Sequence, residues 1–349
     1  MQHLSQNLHG RSVLITGGSG YIGRVASLML EHWGCTVWCL DDLSGGPKPK
    51  KLQRFIEGSI LDLKLLSTLF QNHHFDAVIH LAGKISVGES IEKPEFYWLH
   101  NVIGTQNILS SIPRDTDILF ASSAAVYGSC IDRVTEHSVC VPTSPYGNGK
   151  RAAEKAILDS PNNSICFRLF NVAGAIRHPN NPDLLVGEER QPETHLIPRV
   201  IQQHLNGRSF SVFGQTYDTE DGTCIREYIH VLDVVQAFAT GMCHLRNTPS
   251  ASSNRYTFNL SSGLGHSVLE VLQTISLEGA QMKQTPIEYD FVAPRDGDPS
   301  CIAGDISHIR NILDWKPTHS NLASIVRSTW QHQLMLRQNP PTNANPFGK

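Results

Sequence analysis

The feature that most constrains the fold is a short apolar run that ends in spaced glycines near the N-terminus. Ser12–Thr16 reads Ser-Val-Leu-Ile-Thr, and Gly17, Gly20 and Gly23 follow before apolar residues recur at helical spacing. A strand that passes through such a turn into a helix makes a dinucleotide site. One glycine permits the tight turn, another lets the backbone approach a pyrophosphate, and the third allows close helix–sheet packing.

Further apolar runs alternate with helical stretches through the first half of the chain. Buried strands are predicted at residues 36–40, 77–81, 118–121 and 164–169. This alternation predicts an α/β fold, a Rossmann-like doubly wound parallel sheet with right-handed crossovers. Beyond about residue 175 the character changes, and residues 177–193, rich in Pro, Asn and charge, predict a long surface excursion.

An acidic residue ends the second predicted strand. Asp41 follows Gly23 at close to the spacing of roughly 20 residues expected for a ribose-binding carboxylate. A carboxylate there accepts hydrogen bonds from the adenosine ribose hydroxyls and repels a 2′-phosphate. The sequence therefore predicts NAD rather than NADP as cofactor.

Tyr146 and Lys150 form the second informative pattern. Ser144 and Pro145 suit the N-cap and first position of a helix, which places Tyr146 and Lys150 one turn apart on one face. A free tyrosine has a pKa of ~10, and a nearby ammonium and a positive nicotinamide both favour its phenolate. Tyr-x-x-x-Lys alone is usually an exposed helix pair. Ser123, at the carboxyl end of the strand predicted at 118–121, adds a hydroxyl beside the expected nicotinamide, and together these features predict a hydride-transfer enzyme.

With these residues in place, the chain resembles the extended short-chain dehydrogenase/reductases, and within them the UDP-glucose 4-epimerase family. The resemblance covers about residues 11–320. Besides the two motifs, it rests on residues 80–83, 87–90, 101–105, 170–175, 219–223, 226–231 and 295–298.

The resemblance implies roles for individual residues. Tyr146 would take the proton from the sugar 4-hydroxyl, with Ser123 assisting and Lys150 tuning it. The residues implied to surround NAD are Gly17, Gly20, Tyr21, Ile22, Gly23, Asp41, Asp42, Ser59, Ile60, Leu81, Ala82, Gly83, Lys84, Asn101, Tyr146, Lys150 and Phe170. Those implied to hold the UDP-sugar are Ser123, Asn171, His195, Leu196, Phe213, Arg226, Tyr228, Arg295, Asp298 and Ile302.

Four positions depart from the family pattern. Ser59 stands where the family usually has an Asp for the adenine amine, and Lys84 is one position earlier than the family lysine. His195 replaces a frequent Asn. Ile302 lies where the family varies between bulky Tyr and small Cys beside the sugar. The resemblance therefore leaves open whether the sugars are glucose-type or N-acetylhexosamine-type.

The leading hypothesis is 4-epimerisation of a UDP-hexose through a transient 4-keto sugar. The alternatives are sugar-nucleotide 4,6-dehydratases, UDP-glucuronate decarboxylases and a non-catalytic NAD-binding protein. The two other enzymes place acids after the serine, where this chain has Ala124 and Ala125. A non-catalytic binder has no need of Tyr146 and Lys150.

The same reasoning predicts the organisation of the chain. We expect an NAD-binding domain over residues 10–175, to which a segment near 225–245 returns, and a smaller UDP-sugar domain over 176–337. A flexible tail is expected over 338–349. The resemblance also implies a homodimer through helices at residues 93–112 and 145–160.

Composition excludes several other classes of protein. The net charge is −3, which gives no electrostatic footprint for nucleic acid. No apolar run reaches the ~18 residues of a membrane helix. The eight cysteines are scattered without metal spacing. We therefore expect a cytoplasmic enzyme that binds no nucleic acid, membrane or metal.

Overall fold

The computed structural model describes residues 2–45, 54–129, 133–190, 192–248, 254–295 and 298–338 of the chain. The strands are β1 Ser12–Thr16, β2 Thr36–Asp41, β3 Phe55–Glu57, β4 Ala77–His80, β5 Asp117–Ser123, β6 Arg133–Val134, β7 Ser164–Leu169, β8 Asn171–Ala173, β9 Ile176–His178, β10 Asn181–Val186, β11 Phe210–Phe213, β12 Ile225–His230, β13 Arg255–Leu260, β14 Gly265–Ser267, β15 Tyr289–Val292 and β16 Cys301–Gly304. The helices are α1 Gln2–Leu8, α2 Tyr21–His32, α3 Leu63–Asn72, α4 Val87–Glu92, α5 Pro94–Trp98, α6 Gly104–Ser111, α7 Pro145–Asp159, α8 Leu196–Leu205, α9 Val231–Asn247, α10 Val268–Gln281, α11 Ser307–Leu313 and α12 Leu322–Gln338. A π-helical turn, Leu99–Ile103, joins α5 to α6, and a 3-10 turn, Ala124–Tyr127, follows β5. Apart from Gln338, the predicted tail lies outside the described residues.

Seven parallel strands form the central sheet, in the order β13-β7-β5-β4-β1-β2-β3. Helices cover both of its faces. One face carries α2 and α9, which pack through Val25 and Phe238. The other carries α3, α6 and α7, which pack through Leu66, Ile108 and Ile157. Strands buried on both faces explain the continuous apolar runs in the sequence, and the predicted Rossmann-like doubly wound sheet is confirmed.

The central sheet draws on two separated parts of the chain. β13 pairs with β7 along six residues, from Arg255 opposite Ser164 to Leu260 opposite Leu169. α9, which precedes β13, covers the same sheet face as α2. Residues 231–260 therefore include a helix and a strand of the central α/β unit, and the prediction placed the returning segment near 225–245.

The remaining residues build a smaller unit beside the sheet. β12 is its central strand, parallel to β16 and β8 and antiparallel to β14. A separate apolar core joins α8, α10 and α12 through Val200, Leu272 and Val326.

One expectation is wrong. Residues 177–193 were predicted to be a long surface excursion, but β9 and β10 form an antiparallel hairpin in its first half. Leu185 and Val186 at the end of β10 are buried. Arg177, Asn180, Pro182 and Asp183 are exposed on the hairpin, and local composition did not reveal the two packed residues.

The carboxyl ends of the central strands meet at one edge, where ligands bind in folds of this kind. Thr16, Asp41, His80, Ser123 and Leu169 end the strands there. In the part of the chain that the structure describes, no helix is both apolar and long enough to cross a membrane.

Candidate active site

The glycine turn after β1 has no room for side chains. Gly17 has a φ of +76°, and a Cβ there would lie 2.7 Å from the backbone nitrogen of Ala82. A Cβ at Gly23 would collide with the carbonyl oxygen of Gly17, and Gly20 is the N-cap of α2. The turn therefore has the close packing that a pyrophosphate-binding loop requires.

Polar groups in this turn fit a bound dinucleotide. The Ser19 hydroxyl is buried and has no hydrogen-bond partner among the described residues. Asp41 accepts from the backbone N–H groups of Ser19 and Leu43, at 3.0 and 2.7 Å. These bonds fix the carboxylate at the end of β2, where it keeps free acceptor positions for ribose hydroxyls. Tyr21 donates to the carbonyl of Gly174 at 2.6 Å.

The other predicted NAD residues line the same edge of the sheet. Asn101 accepts from the Lys84 backbone N–H at 2.7 Å and donates to the Lys84 carbonyl at 2.9 Å, which ties the loop after β4 to the π-helical turn. The Lys84 ammonium donates to Ser44, whose hydroxyl bonds Asp42. Ser59 accepts from the backbone N–H of Leu61 at 3.2 Å. The remaining members of the set are Ile22, Ile60, Leu81, Gly83 and Phe170, at the start of α2 or after the central strands.

Tyr146 sits where the helix cap predicts. Ser144 is the N-cap of α7, and its hydroxyl accepts from the Gly147 N–H. Tyr146 is only 8% exposed, and Ser123 and Arg190 are near enough to act on its phenol. Burial holds the pKa of Tyr146 above its ordinary value, while the Ser123 hydroxyl and the charge of Arg190 act in the opposite direction. The phenol therefore depends on added positive charge to act as a base.

Lys150 lies one turn further along α7, in a buried position. Its ammonium donates to the Ala121 carbonyl at 2.7 Å and lies 4.7 Å from the ring centre of Phe120. Burial lowers its pKa to about 8, with Glu154 acting against this. A Cβ at Gly83 would lie 3.9 Å from the ammonium. Lys150 thus faces the cofactor loop as well as β5.

A buried network of hydrogen bonds and one ion pair lies below these residues and was not predicted from the sequence. Glu154 forms a two-point ion pair with Arg168, at 3.0 and 2.9 Å, and accepts from Ser122 at 2.5 Å. Arg168 also donates to Tyr127 at 3.0 Å. The network joins α7 to β5 and β7 directly beneath Ser123. The signal in the sequence was the spacing Lys150-x-x-x-Glu154, a second turn on the same helix face.

The residues implied to hold UDP lie on the smaller unit. Arg226 on β12 donates to Asp298 at 2.5 Å, and Arg295 stacks 4.1 Å from the ring centre of Phe213. Tyr217 was not predicted as a site residue. The charges of Asp298, Arg226 and Arg295 act on the pKa of its phenol. Its hydroxyl is buried and has no partner among the described residues. Two arginines and a carboxylate suit a nucleoside diphosphate.

The other substrate candidates are placed between this group and the central sheet. Asn171 donates to the Glu227 carbonyl at 2.8 Å and pairs with Tyr228 across β8 and β12. His195 and Leu196 begin α8. Ile302 pairs with Arg226 and packs in an apolar cluster that includes Phe170 and Tyr127.

Arg190 is the clearest omission from the predicted site. It follows the β9–β10 hairpin, and its charge acts on both Tyr146 and His195. Its Nη1 atom is buried and has no hydrogen-bond partner in the described segments. Since Arg190 reaches Tyr146 only through the folded hairpin, no local pattern in the sequence pointed to it.

Known proteins share this arrangement. Residues 13–259 match the model of the NAD dependent epimerase/dehydratase family. A UDP-glucose 4-epimerase of Halalkalibacterium halodurans is 38% identical over 328 residues, which are 91% of this chain and 94% of that protein. A crystal structure of UDP-glucose-4-epimerase from Stenotrophomonas maltophila with bound NAD and formylated UDP-arabinopyranose superimposes with a TM-score of 0.85 at 31% identity, over 94% of this chain and 99% of that one. One from Brucella ovis in complex with NAD gives 0.84 at 32%, over 93% and 98%.

Proposed function

Because the chain belongs to the NAD dependent epimerase/dehydratase family, we propose that it interconverts UDP-glucose and UDP-galactose by epimerisation at C4. The observation that carries this proposal is the nearly buried Tyr146 phenol, which lies near Ser123 at the sheet edge that also holds the glycine turn. Ala124 and Ala125 follow Ser123 and cannot transfer a proton. A dehydratase or decarboxylase reaction is therefore not favoured.

The cofactor is NAD, which supplies the acceptor and later the donor of a hydride at C4 when it is bound. The crowded glycine turn, the unpartnered Ser19 hydroxyl and the fixed Asp41 carboxylate support binding of its pyrophosphate and adenosine ribose. The side chains of Lys150 and Asn101 both lie near Gly83, where they suit the nicotinamide ribose. The carboxylate of Asp41 disfavours a 2′-phosphate.

The chain's own residues manage the proton. Tyr146 removes it from the sugar 4-hydroxyl, and Ser123 holds the reacting oxygen. Positive charge from Arg190 offsets part of the burial that keeps the phenol protonated. When the 4-keto group is reduced, Tyr146 returns the proton.

Inversion requires that one end of the substrate is fixed while the other turns. Arg226, Arg295 and Asp298 are proposed to anchor the UDP portion by charge and by forked hydrogen bonds. Rotation about the diphosphate link would then turn the opposite face of the keto sugar towards the side from which bound NAD supplies hydride, while Tyr146 stays within reach of the 4-oxygen. Firm nucleotide contacts and few sugar contacts suit this step.

The test is direct conversion. Purified protein is incubated with UDP-galactose, and UDP-glucose is followed by chromatography, with UDP-N-acetylgalactosamine in a parallel reaction. Conversion of UDP-galactose supports the proposal, and faster conversion of the N-acetylated sugar would reassign the preferred pair. Bound NAD without turnover of either sugar would refute epimerase activity.

Assembly and compartment complete the proposal. We propose a homodimer through the surface of α4, α5 and the π-helical turn, where Ile91, Trp98 and Leu99 are 66, 47 and 43% exposed. These elements pack beside α7, the other helix of the proposed interface. None of the described cysteines forms a disulfide, which fits a reducing cytoplasm. We also propose that the chain is divided into an NAD-binding domain and a UDP-sugar domain.

A further inference from the structure

Three side chains with metal-binding atoms meet in the loop between β10 and α8. The Nδ1 atom of His195 lies 3.1 Å from Oε1 of Glu193 and 3.8 Å from Oε2 of Glu188. One ligand atom from each residue lies within 4.8 Å of the other two. The sequence predicted no metal site, because its cysteines lack the spacing of metal ligands.

The hydrogen bonds of Glu193 leave one oxygen unexplained. Its Oε1 accepts from the backbone N–H groups of Thr194 and His195, at 2.7 and 2.8 Å, at the start of α8. Its Oε2 is buried and has no partner among the described residues, and the side chain is only 1% exposed. A buried carboxylate oxygen without a partner is costly.

The nearby positive side chain of Arg24 has other partners than Glu188 and Glu193. One carboxylate oxygen of Glu188 lies within 4.8 Å of one carboxylate oxygen of Glu193. Arg24 is engaged by Glu189 at 2.9 Å and by the Gly187 carbonyl at 2.8 Å. Arg190 bonds Glu188 through its backbone N–H alone. The His195 ring lies within 4 Å of both carboxylates, and the Tyr21 phenol, which is also near them, donates to the Gly174 carbonyl instead.

We propose that Glu188, Glu193 and His195 bind one divalent cation. Two carboxylates and one imidazole suit zinc, since carboxylate oxygen and imidazole nitrogen are both among its usual ligands. Bonds of ~2.0–2.2 Å place such ligand atoms about 3–4 Å apart, as the two distances from His195 Nδ1 already are. Water completes the coordination.

The site has a consequence for the neighbouring nucleotide. Coordination through Nδ1 fixes the His195 tautomer that carries its proton on Nε2. That proton is the donor that His195 would offer to UDP. This consequence rests on the proposed function, whereas metal binding itself does not.

The test measures metal rather than turnover. The full chain is treated with a chelator, titrated with zinc chloride by calorimetry, and analysed for zinc after gel filtration. We expect one zinc per chain, and we expect Glu188→Gln and His195→Asn each to weaken its affinity by at least about tenfold. His266→Asn is the matched control, because His266 lies 2.6 Å from Glu270 without a third ligand. It should leave zinc binding unchanged.

The other outcomes overturn the proposal. Absence of zinc binding by the wild type would leave His195 as a protonated partner of the two glutamates. Zinc retained with wild-type affinity by both variants would place it elsewhere, such as on cysteine thiols. Thermal unfolding guards against misfolded variants: zinc should raise the Tm of the wild type and of His266→Asn, but not that of a folded Glu188→Gln.

Discussion

At the scale of single residues, Tyr146 is the group on which turnover depends. Tyr146→Phe removes the phenol oxygen while keeping the ring that packs in a nearly closed position. We expect kcat to fall by about 10²–10⁴-fold, the usual worth of a positioned acid–base group. The measurement is the rate of UDP-galactose conversion at saturating substrate.

Cofactor content separates loss of the base from loss of the site. Tyr146→Phe should retain NAD at the level of the wild type, since the glycine turn and Asp41 are untouched. A variant with NAD bound and wild-type turnover would remove Tyr146 as the base.

Arg190 offers a second test at this scale, through pH. Its charge lowers the pKa of Tyr146 against the larger effect of burial. A base acts when deprotonated, so kcat should rise with pH, and Arg190→Gln should move that rise to higher pH. The pH profile of kcat is compared with that of Arg190→Lys, which should stay near the wild type.

The control for this shift is Arg208→Gln, an exposed arginine remote from Tyr146 in the chain. Equal profiles for Arg190→Gln and Arg208→Gln would show that Arg190 does not influence the base. A lowered kcat with an unshifted profile would assign Arg190 to sugar contacts instead.

At the scale of elements, the catalytic geometry depends on how α7 is held against β5. Glu154 and Arg168 form a buried two-point pair, and Ser122 adds a third bond. Breaking one side of such a pair leaves a buried charge, so we expect Glu154→Gln to lower the free energy of unfolding by about 3 kcal/mol. Chemical denaturation, monitored by circular dichroism, measures this loss.

An exposed pair on the same helix is the comparison. Lys155 and Asp159 lie 2.6 Å apart with most of both side chains in solvent. Lys155→Gln should leave the unfolding midpoint close to that of the wild type, because exposed ion pairs contribute little. Equal losses from the two substitutions would contradict a special role for the buried network.

The elements that were predictable from sequence carry their signal locally. β1 and β7 occupy the predicted residues, and Ser144 caps α7 as expected. β13 was missed because it lies about 90 residues after β7, its partner, and a short strand beyond residue 175 gives no sign of the sheet it joins. The β9–β10 hairpin was not predicted, because the polar composition of its turn suggested a loop and the two apolar residues Leu185 and Val186 are too few to indicate a strand.

At the scale of the whole molecule, the candidate site joins parts that are distant in the chain. Arg24 on α2 bonds the Gly187 carbonyl and Glu189 in the loop before α8. The same loop brings Arg190 towards Tyr146. Motif matching predicts site residues from the residues that are next to them in sequence. It missed Arg190 and Tyr217, whose positions follow only from how the smaller unit lies against the central sheet.

Assembly is the last property at this scale. A surface with Ile91, Trp98 and Leu99 exposed costs free energy in water and gains it when covered. The wild type should elute with about twice the chain mass of 38.6 kDa. Leu99→Glu should weaken this dimer by at least about tenfold, because it places a charge in an apolar contact. Light scattering after gel filtration, over a range of concentrations, measures both masses.

Leu277→Glu, at a leucine 65% exposed on α10, is the control that should remain dimeric. If both variants keep the wild-type mass, or the wild type is a monomer, the surface formed by α4, α5 and the π-helical turn is not the interface.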